Sequence, residues 1–136
     1  MNKTFELEME VRDYECDIQG IVNNANYLHY LEHTRHKFIS SLGLSFVDLH
    51  NRGIDVGVAG MNLRFKAPLR CEDVMLSRLT MGKDGYRYVF HQDIVRKDDG
   101  RLCLRATVDT VCIVSGRLSE SADLEQAFAE YLKQNQ

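Results

Sequence analysis

The stretch CDIQGIVNNANYLHYLEHTR, residues 16–35, decides how the chain folds. Just before it, Phe5, Leu7, Met9 and Val11 alternate with Glu6, Glu8, Glu10 and Arg12, the two-residue repeat of a strand buried on one face. From about residue 24 the repeat lengthens to that of a helix. At about 100° per residue, Tyr27, Leu28, Leu31, Phe38, Ile39 and Leu42 share one stripe, with His29, His33 and Lys37 opposite. Gly43 suits the left-handed position that ends a helix, and the asparagines supply candidate N-caps, so a helix is predicted over residues 24–42. Between strand and helix stand an isolated aspartate, Asp17, then Gly20 and three asparagines. What Asp17 faces decides the chemistry.

Past a turn at residues 51–53 the chain reads as strands over residues 55–66, 73–81, 86–96 and 102–114. Asp84-Gly85 and Asp99-Gly100 are hairpin signals, so the last three strands form an antiparallel meander. Met61, Leu63 and Phe65 alternate with Asn62, Arg64 and Lys66, while Leu102, Leu104, Ala106 and Val108 share one side. A short amphipathic helix over residues 121–133, capped by Ser119 or Ser121, ends the chain. The expected architecture is a single α+β domain over residues 1–136, an antiparallel five-stranded sheet wrapped around a long central helix. Strands of this length leave open sheet edges, which favours a dimer.

The composition narrows the function. A net charge of -3 argues against nucleic-acid partners, whose readers carry a basic surplus. No apolar run is long enough for a membrane span, and the N-terminal residues alternate charge with apolarity where a secretory signal has an apolar block, so a cytoplasmic protein is expected. Cys16, Cys71, Cys103 and Cys112 form no C-x-x-C pair and no zinc spacing, and read as reduced structural thiols; no metal or cofactor is expected. Arg35 falls inside the apolar stripe with Glu32 at its edge, three residues away, as an ion pair at an interface or as site residues.

Val11-Arg12, Asp17-x-x-Gly20-Ile21-Val22, Tyr27-Leu28, Glu32-x-x-Arg35 and the segment LRFKAPL at residues 63–69 together resemble the hotdog-fold acyl-CoA thioesterases of the 4-hydroxybenzoyl-CoA thioesterase-like family. The resemblance implies a long helix wrapped by a sheet, a homodimer made by joining two sheets, tetramers as dimers of dimers, and active sites at the dimer interface. It implies that Asp17 acts as nucleophile or as general base toward water, while backbone N–H groups at the helix start polarise the thioester carbonyl. Many relatives have histidine or tyrosine where Asn24 stands and an aromatic residue where Asp13 stands. The VNNANY wording also resembles acyl-ACP thioesterases.

Physical chemistry supports the same arrangement. Thioester hydrolysis builds negative charge on the carbonyl oxygen, and a helix N-terminus offers unpaired N–H donors there. Residues 23–26 can form that hole, and a carboxylate seven residues before Asn24 can reach the carbonyl carbon or a water from the other side. The alternative role of Asp17 is to cap the helix or brace the loop. Asn24 can give its backbone N–H and hold a water with its amide, and Asp13 can act on Asp17 if the two carboxylates approach. Tyr27, Tyr30 and Met61 are candidate pocket walls; Arg64, Lys66 and Arg70 form a basic cluster that suits the phosphates of CoA or a phosphopantetheine arm. His91 sits mid-strand without a partner, and Cys16 lacks a histidine base. The expected function is hydrolysis of an acyl-CoA, with an acyl-ACP hydrolase or a non-catalytic acyl-thioester binding module as the alternatives.

Overall fold

The computed structural model of the protein describes residues 3–132. Strand β1 (Phe5–Glu10) is followed by a single 3-10 turn (Asp13–Glu15), helices α1 (Asn24–Ser41) and α2 (Phe46–Asn51), strands β2 (Ile54–Phe65), β3 (Val74–Asp84), β4 (Arg87–Arg96), β5 (Leu102–Val114) and β6 (Arg117–Leu118), and helix α3 (Ala122–Leu132). The strand order is β1-β3-β4-β5-β2, with every neighbour antiparallel. The sheet has six strands rather than the five expected, because the two-residue β6 folds back onto β5. Gly85 and Gly100, at φ 63° and 70°, close the two turns foreseen from Asp-Gly. Of the expected last helix, Lys133 lies outside the described residues.

Helix α1 starts and stops as its sequence dictates. Asn23 is the N-cap, its side-chain oxygen accepting the Ala25 N–H at 3.0 Å. At the other end Gly43 takes φ 80°, with Gly43 N–H on the Ser40 carbonyl and Leu44 N–H on the Ile39 carbonyl, the paired bonds of a Schellman motif. The buried face is Tyr27, Tyr30, Leu31, Thr34, Arg35, Phe38 and Ile39. Leu28, expected inside the stripe, is 41% exposed. Tyr30 and Thr34 are buried instead because each finds a partner for its hydroxyl: Tyr30 donates to Glu15 at 3.0 Å, and Thr34 pairs with Ser77 of β3 at 2.7 Å.

These buried polar groups form a belt across the core. Thr34 and Arg35 of α1 meet Ser77 of β3 and Gln92 of β4, and all four are buried. On one side lies a cluster around Phe38, where Phe5, Phe90, Phe128 and Tyr131 pack ring against ring; on the other lies a cluster around Tyr27, Leu31, Leu69 and Leu104. Arg35 donates to Gln92 Oε1 at 3.0 Å rather than pairing with Glu32, which is exposed.

Helix α2 is not foreseen from the sequence and precedes the turn expected at residues 51–53, where Gly53 takes φ 80°; six residues are too few to display a helical stripe. The Ser45 side chain caps it, accepting the Asp48 N–H at 3.3 Å. In β2 the pairing with β5 slips between Val58 and Gly60, a bulge at Ala59. Before it, Ile54 and Val56 oppose Val114 and Cys112; after it, Met61, Leu63 and Phe65 oppose the buried Val108, Ala106 and Leu104. The extra residue lets both halves turn their apolar side chains to the helix face. Yet Val58, Met61 and Phe65 remain between 41% and 51% exposed, because β2 is the last strand of the sheet.

Candidate active site

The segment between the 3-10 turn and α1 is a small hairpin. Cys16 and Val22 form an isolated antiparallel bridge, Asp17 N–H donates to the Ile21 carbonyl at 2.8 Å, and Gly20 N–H donates to the Asp17 carbonyl at 3.0 Å. Gly20, at φ 80°, sits where a side chain would be strained. The hairpin is fixed to the helix start: Asn23 N–H and the Asn26 amide both donate to the Glu15 carbonyl, at 3.0 and 2.8 Å. Asp17 is therefore held in one place relative to the first turn of α1.

The Asp17 side chain is exposed in the single chain. Its Oδ1 accepts the Gln19 N–H at 2.9 Å, an Asx turn. The three asparagines divide their work: Asn23 caps, Asn26 braces the hairpin, and Asn24 opens the helix with an exposed side chain. The Ala25 and Asn26 amides are taken by Asn23, whereas the Asn24 N–H has no acceptor among the described residues. That leaves one helix N-terminal donor free. Asp13 lies in the 3-10 turn and directs its Oδ1 to its own neighbour, the Tyr14 N–H, at 2.7 Å.

Tyr27 is buried, and its hydroxyl accepts the Leu69 N–H at 3.2 Å, tying residues 66–70 to the helix. Burial pushes this hydroxyl's pKa up. Its ring meets Phe65 edge to face at 5.5 Å. Arg64 and Lys66 stand exposed on β2 and just beyond it, and Arg64 lies opposite Arg105. Arg70 is bridged to Ile21 and so is brought beside the hairpin. His91 lies on the opposite face, pointing to solvent on β4. For Cys16, burial above all, then Cys71 and Asp17, push the thiol up, away from the thiolate that a nucleophile needs.

Glu15 escaped the sequence reading although Arg12-x-x-Glu15 is a capping-box spacing. Its buried carboxylate accepts from Arg12 N–H at 2.8 Å, the Arg12 guanidinium at 3.1 Å and the Tyr30 hydroxyl at 3.0 Å. Burial raises its pKa, but those three donors outweigh burial and the folded value lies below the ordinary one. A depressed carboxylate stabilises the fold above its unfolded pKa, about 4.3, and that stability is lost as the pH falls through the lowered folded value. The melting-temperature gap between wild type and Glu15→Gln, followed by circular dichroism, is thus expected to be wide at neutral pH and to close below about pH 4. A gap independent of pH would show that the ionised form contributes nothing.

Among the described residues no helix is long and apolar enough to cross a membrane. The chain matches the sequence model of the thioesterase-like superfamily over residues 11–132. It is 38% identical over 93 residues to the chloroplastic acyl-acyl carrier protein thioesterase ATL2 of Arabidopsis thaliana, a match covering 67% of this chain and 49% of that protein. The chain thus spans about half the length of that plant relative. It is 29% identical to the long-chain acyl-CoA thioesterase FadM of Escherichia coli, over 93% of this chain and 96% of that protein. The crystal structure of Slr0204, a 1,4-dihydroxy-2-naphthoyl-CoA thioesterase from Synechocystis, superposes with a TM-score of 0.87 at 22% identity, over 94% of this chain and 97% of that one. With the hotdog fold on the page and the match running through almost every element of it, the chain belongs to the thioesterase-like superfamily.

Proposed function

We propose that the protein hydrolyses an acyl-CoA to a carboxylic acid and free CoA, with Asp17 as general base toward water or as nucleophile and the Asn24 N–H as oxyanion donor. The observation that carries this reading is the hairpin that fixes Asp17 against the first turn of α1 while one amide of that turn stays unpartnered. Tyr27 and Phe65 then wall the acyl entrance, and Arg64, Lys66 and Arg70, none of which is in a described ion pair, meet the phosphates. Likeness to ATL2 favours acyl-ACP as a second reading of the carrier. The test is thiol release from one acyl group on CoA and on ACP. Turnover on CoA supports the proposal, turnover on ACP alone moves it to the second reading, and binding without turnover on either carrier makes the protein a binding module.

Asp17 is enclosed by a second copy in this reading, since the single chain leaves it open. The two copies join along β2. Strand β1, the other edge, carries Glu6 and Glu8 in ion pairs with Arg78 and Lys97, charges that discourage pairing, whereas the twelve-residue β2 offers Val58, Met61 and Phe65. Two such dimers form the tetramer. Met61→Arg is expected to halve the solution mass of the dimer in analytical ultracentrifugation and to cut turnover by about tenfold or more, because the seam would bury an unpaired charge. Unchanged mass with full activity would reject the β2 seam.

A further inference from the structure

Two to three turns along α1 from Asn24, a cavity of about 290 Å³ opens between α1, α2 and the strands. Its apolar walls are Ile39 from α1, Phe46 from α2, Val56 from β2 and Phe90 from β4, and Glu32, Arg35, His36 and Thr110 give it a polar side. His36 packs against Phe46, ring centroids 4.8 Å apart, and fixes that wall. The volume sits just below the usual range for small-molecule pockets, about 300 to 1,000 Å³.

Of the charged lining groups, Arg35 is the one that is buried. Arg35 is 8% exposed, and its five N–H donors have a single acceptor among the described residues, Gln92 Oε1. Gln92 is fully buried and is itself anchored, its amide donating to the Leu31 carbonyl at 3.1 Å, so the guanidinium plane is held by a rigid support. No carboxylate lies within ion-pair distance of Arg35 among the described residues. The only fully enclosed side-chain nitrogen or oxygen left without a partner among those residues is Arg96 Nε. The remaining nitrogens of Arg35 are therefore not fully enclosed, and Arg35 lines the cavity.

We infer that this cavity is the acyl subsite and that Arg35 selects acyl groups bearing a neutral oxygen, a hydroxyl or a ketone, at the end remote from the thioester. The inference rests on the thioesterase reading for the bond that is broken; the selection itself depends on Arg35 and the cavity. A plain alkyl end would strip water from the guanidinium and leave its donors unpaired, whereas an oxygen at that end replaces the lost hydrogen bonds. Glu32 at the mouth decides the charge of the ligand. The negative charge of Glu32 offsets the positive charge of Arg35, so an acyl carboxylate entering the cavity meets repulsion that a neutral oxygen avoids.

The experiment compares matched acyl-CoAs on the wild-type protein: ω-hydroxyoctanoyl against octanoyl, ω-hydroxydodecanoyl against dodecanoyl, and suberyl as the anionic analogue. In at least one matched pair kcat/KM is expected to favour the hydroxyl by about tenfold or more, with suberyl-CoA below ω-hydroxyoctanoyl-CoA. In Arg35→Met the hydroxyl preference collapses to parity, the plain alkyl substrates gaining because no donor is then stripped of water, and a preference kept in that variant would overturn the role of Arg35. Equal rates within both pairs in the wild type would overturn the inference without touching the thioesterase reading, and preference for suberyl would overturn the neutral-oxygen part. If Arg35→Met does not fold, the wild-type comparison decides alone. If no substrate is hydrolysed, the thioesterase reading fails separately. Calorimetry of the same CoA esters binding to Asp17→Asn then still tests the subsite: tighter binding of the hydroxylated ester sustains it, and equal affinities reject it.

Discussion

Asp17→Asn is expected to lower kcat for thioester hydrolysis by about 10²- to 10⁴-fold, the range for losing a positioned acid–base group, with no measurable fall in melting temperature. The two halves of that expectation have different sources. Asparagine keeps the Oδ1 acceptor, so the bond from Gln19 N–H survives and the hairpin of residues 16–22 keeps its shape. What it loses is the negative oxygen that takes a proton from water or attacks the carbonyl carbon. Steady-state kinetics with a saturating acyl-CoA, beside a thermal melt, separates the two. Equal kcat in both proteins would remove Asp17 from the chemistry and leave it a loop brace.

Phe38→Ala carries the largest expected cost in stability, about 3–5 kcal/mol. Phe38 is fully buried, with Phe5, Phe90, Phe128 and Tyr131 within 4.7 to 6.1 Å between ring centroids, so its removal opens a void bounded by β1, β4 and α3 that the rings cannot all collapse to fill. Against a total stability of about 5–15 kcal/mol this is a large fraction, and a melting-temperature drop on the order of 10 °C is expected by calorimetry. A drop of only a degree or two would mean that α3 and β1 are loosely docked on α1. Because the proposed oxyanion donor lies at the start of α1, activity measured near the lowered melting temperature should fall together with the fold.

Which features were legible in the sequence follows from how local their causes are. Strand β1, helix α1 with Asn23 and Gly43 at its ends, and the Asp-Gly turns depend on side chains a few residues apart, and each lies within a residue or two of its expected place. The pairing of Arg35 with Gln92 spans fifty-seven residues and could not be read from α1 alone, where Glu32 was the nearer partner. Leu28 reads as core because its angle on the helix is right, but the stripe turns toward Tyr30 and Thr34 once Glu15 and Ser77 are present to satisfy their hydroxyls. Met61 and Phe65 read as buried by alternation; both face the helix side, yet at the edge strand β2 they stay exposed among the described residues. The candidate site reads from the sequence as Asp17 with the first turn of α1, while the brace of the hairpin does not: Glu15 joins Arg12, three residues away, to Tyr30, fifteen residues on in α1.

The irregularity at Ala59 divides β2 into two half-strands of opposite parity: even-numbered residues, Ile54 and Val56, point to the helix before it, and odd-numbered ones, Leu63 and Phe65, after it. Removing Ala59 would make the alternation continuous, with Val58 and Met61 then two positions apart and Leu63 and Phe65 still on the inward side. A β2 lacking that one residue would therefore run as a plain strand over the same apolar interior, and the bulge sets the local twist of the edge rather than the choice of inward side chains.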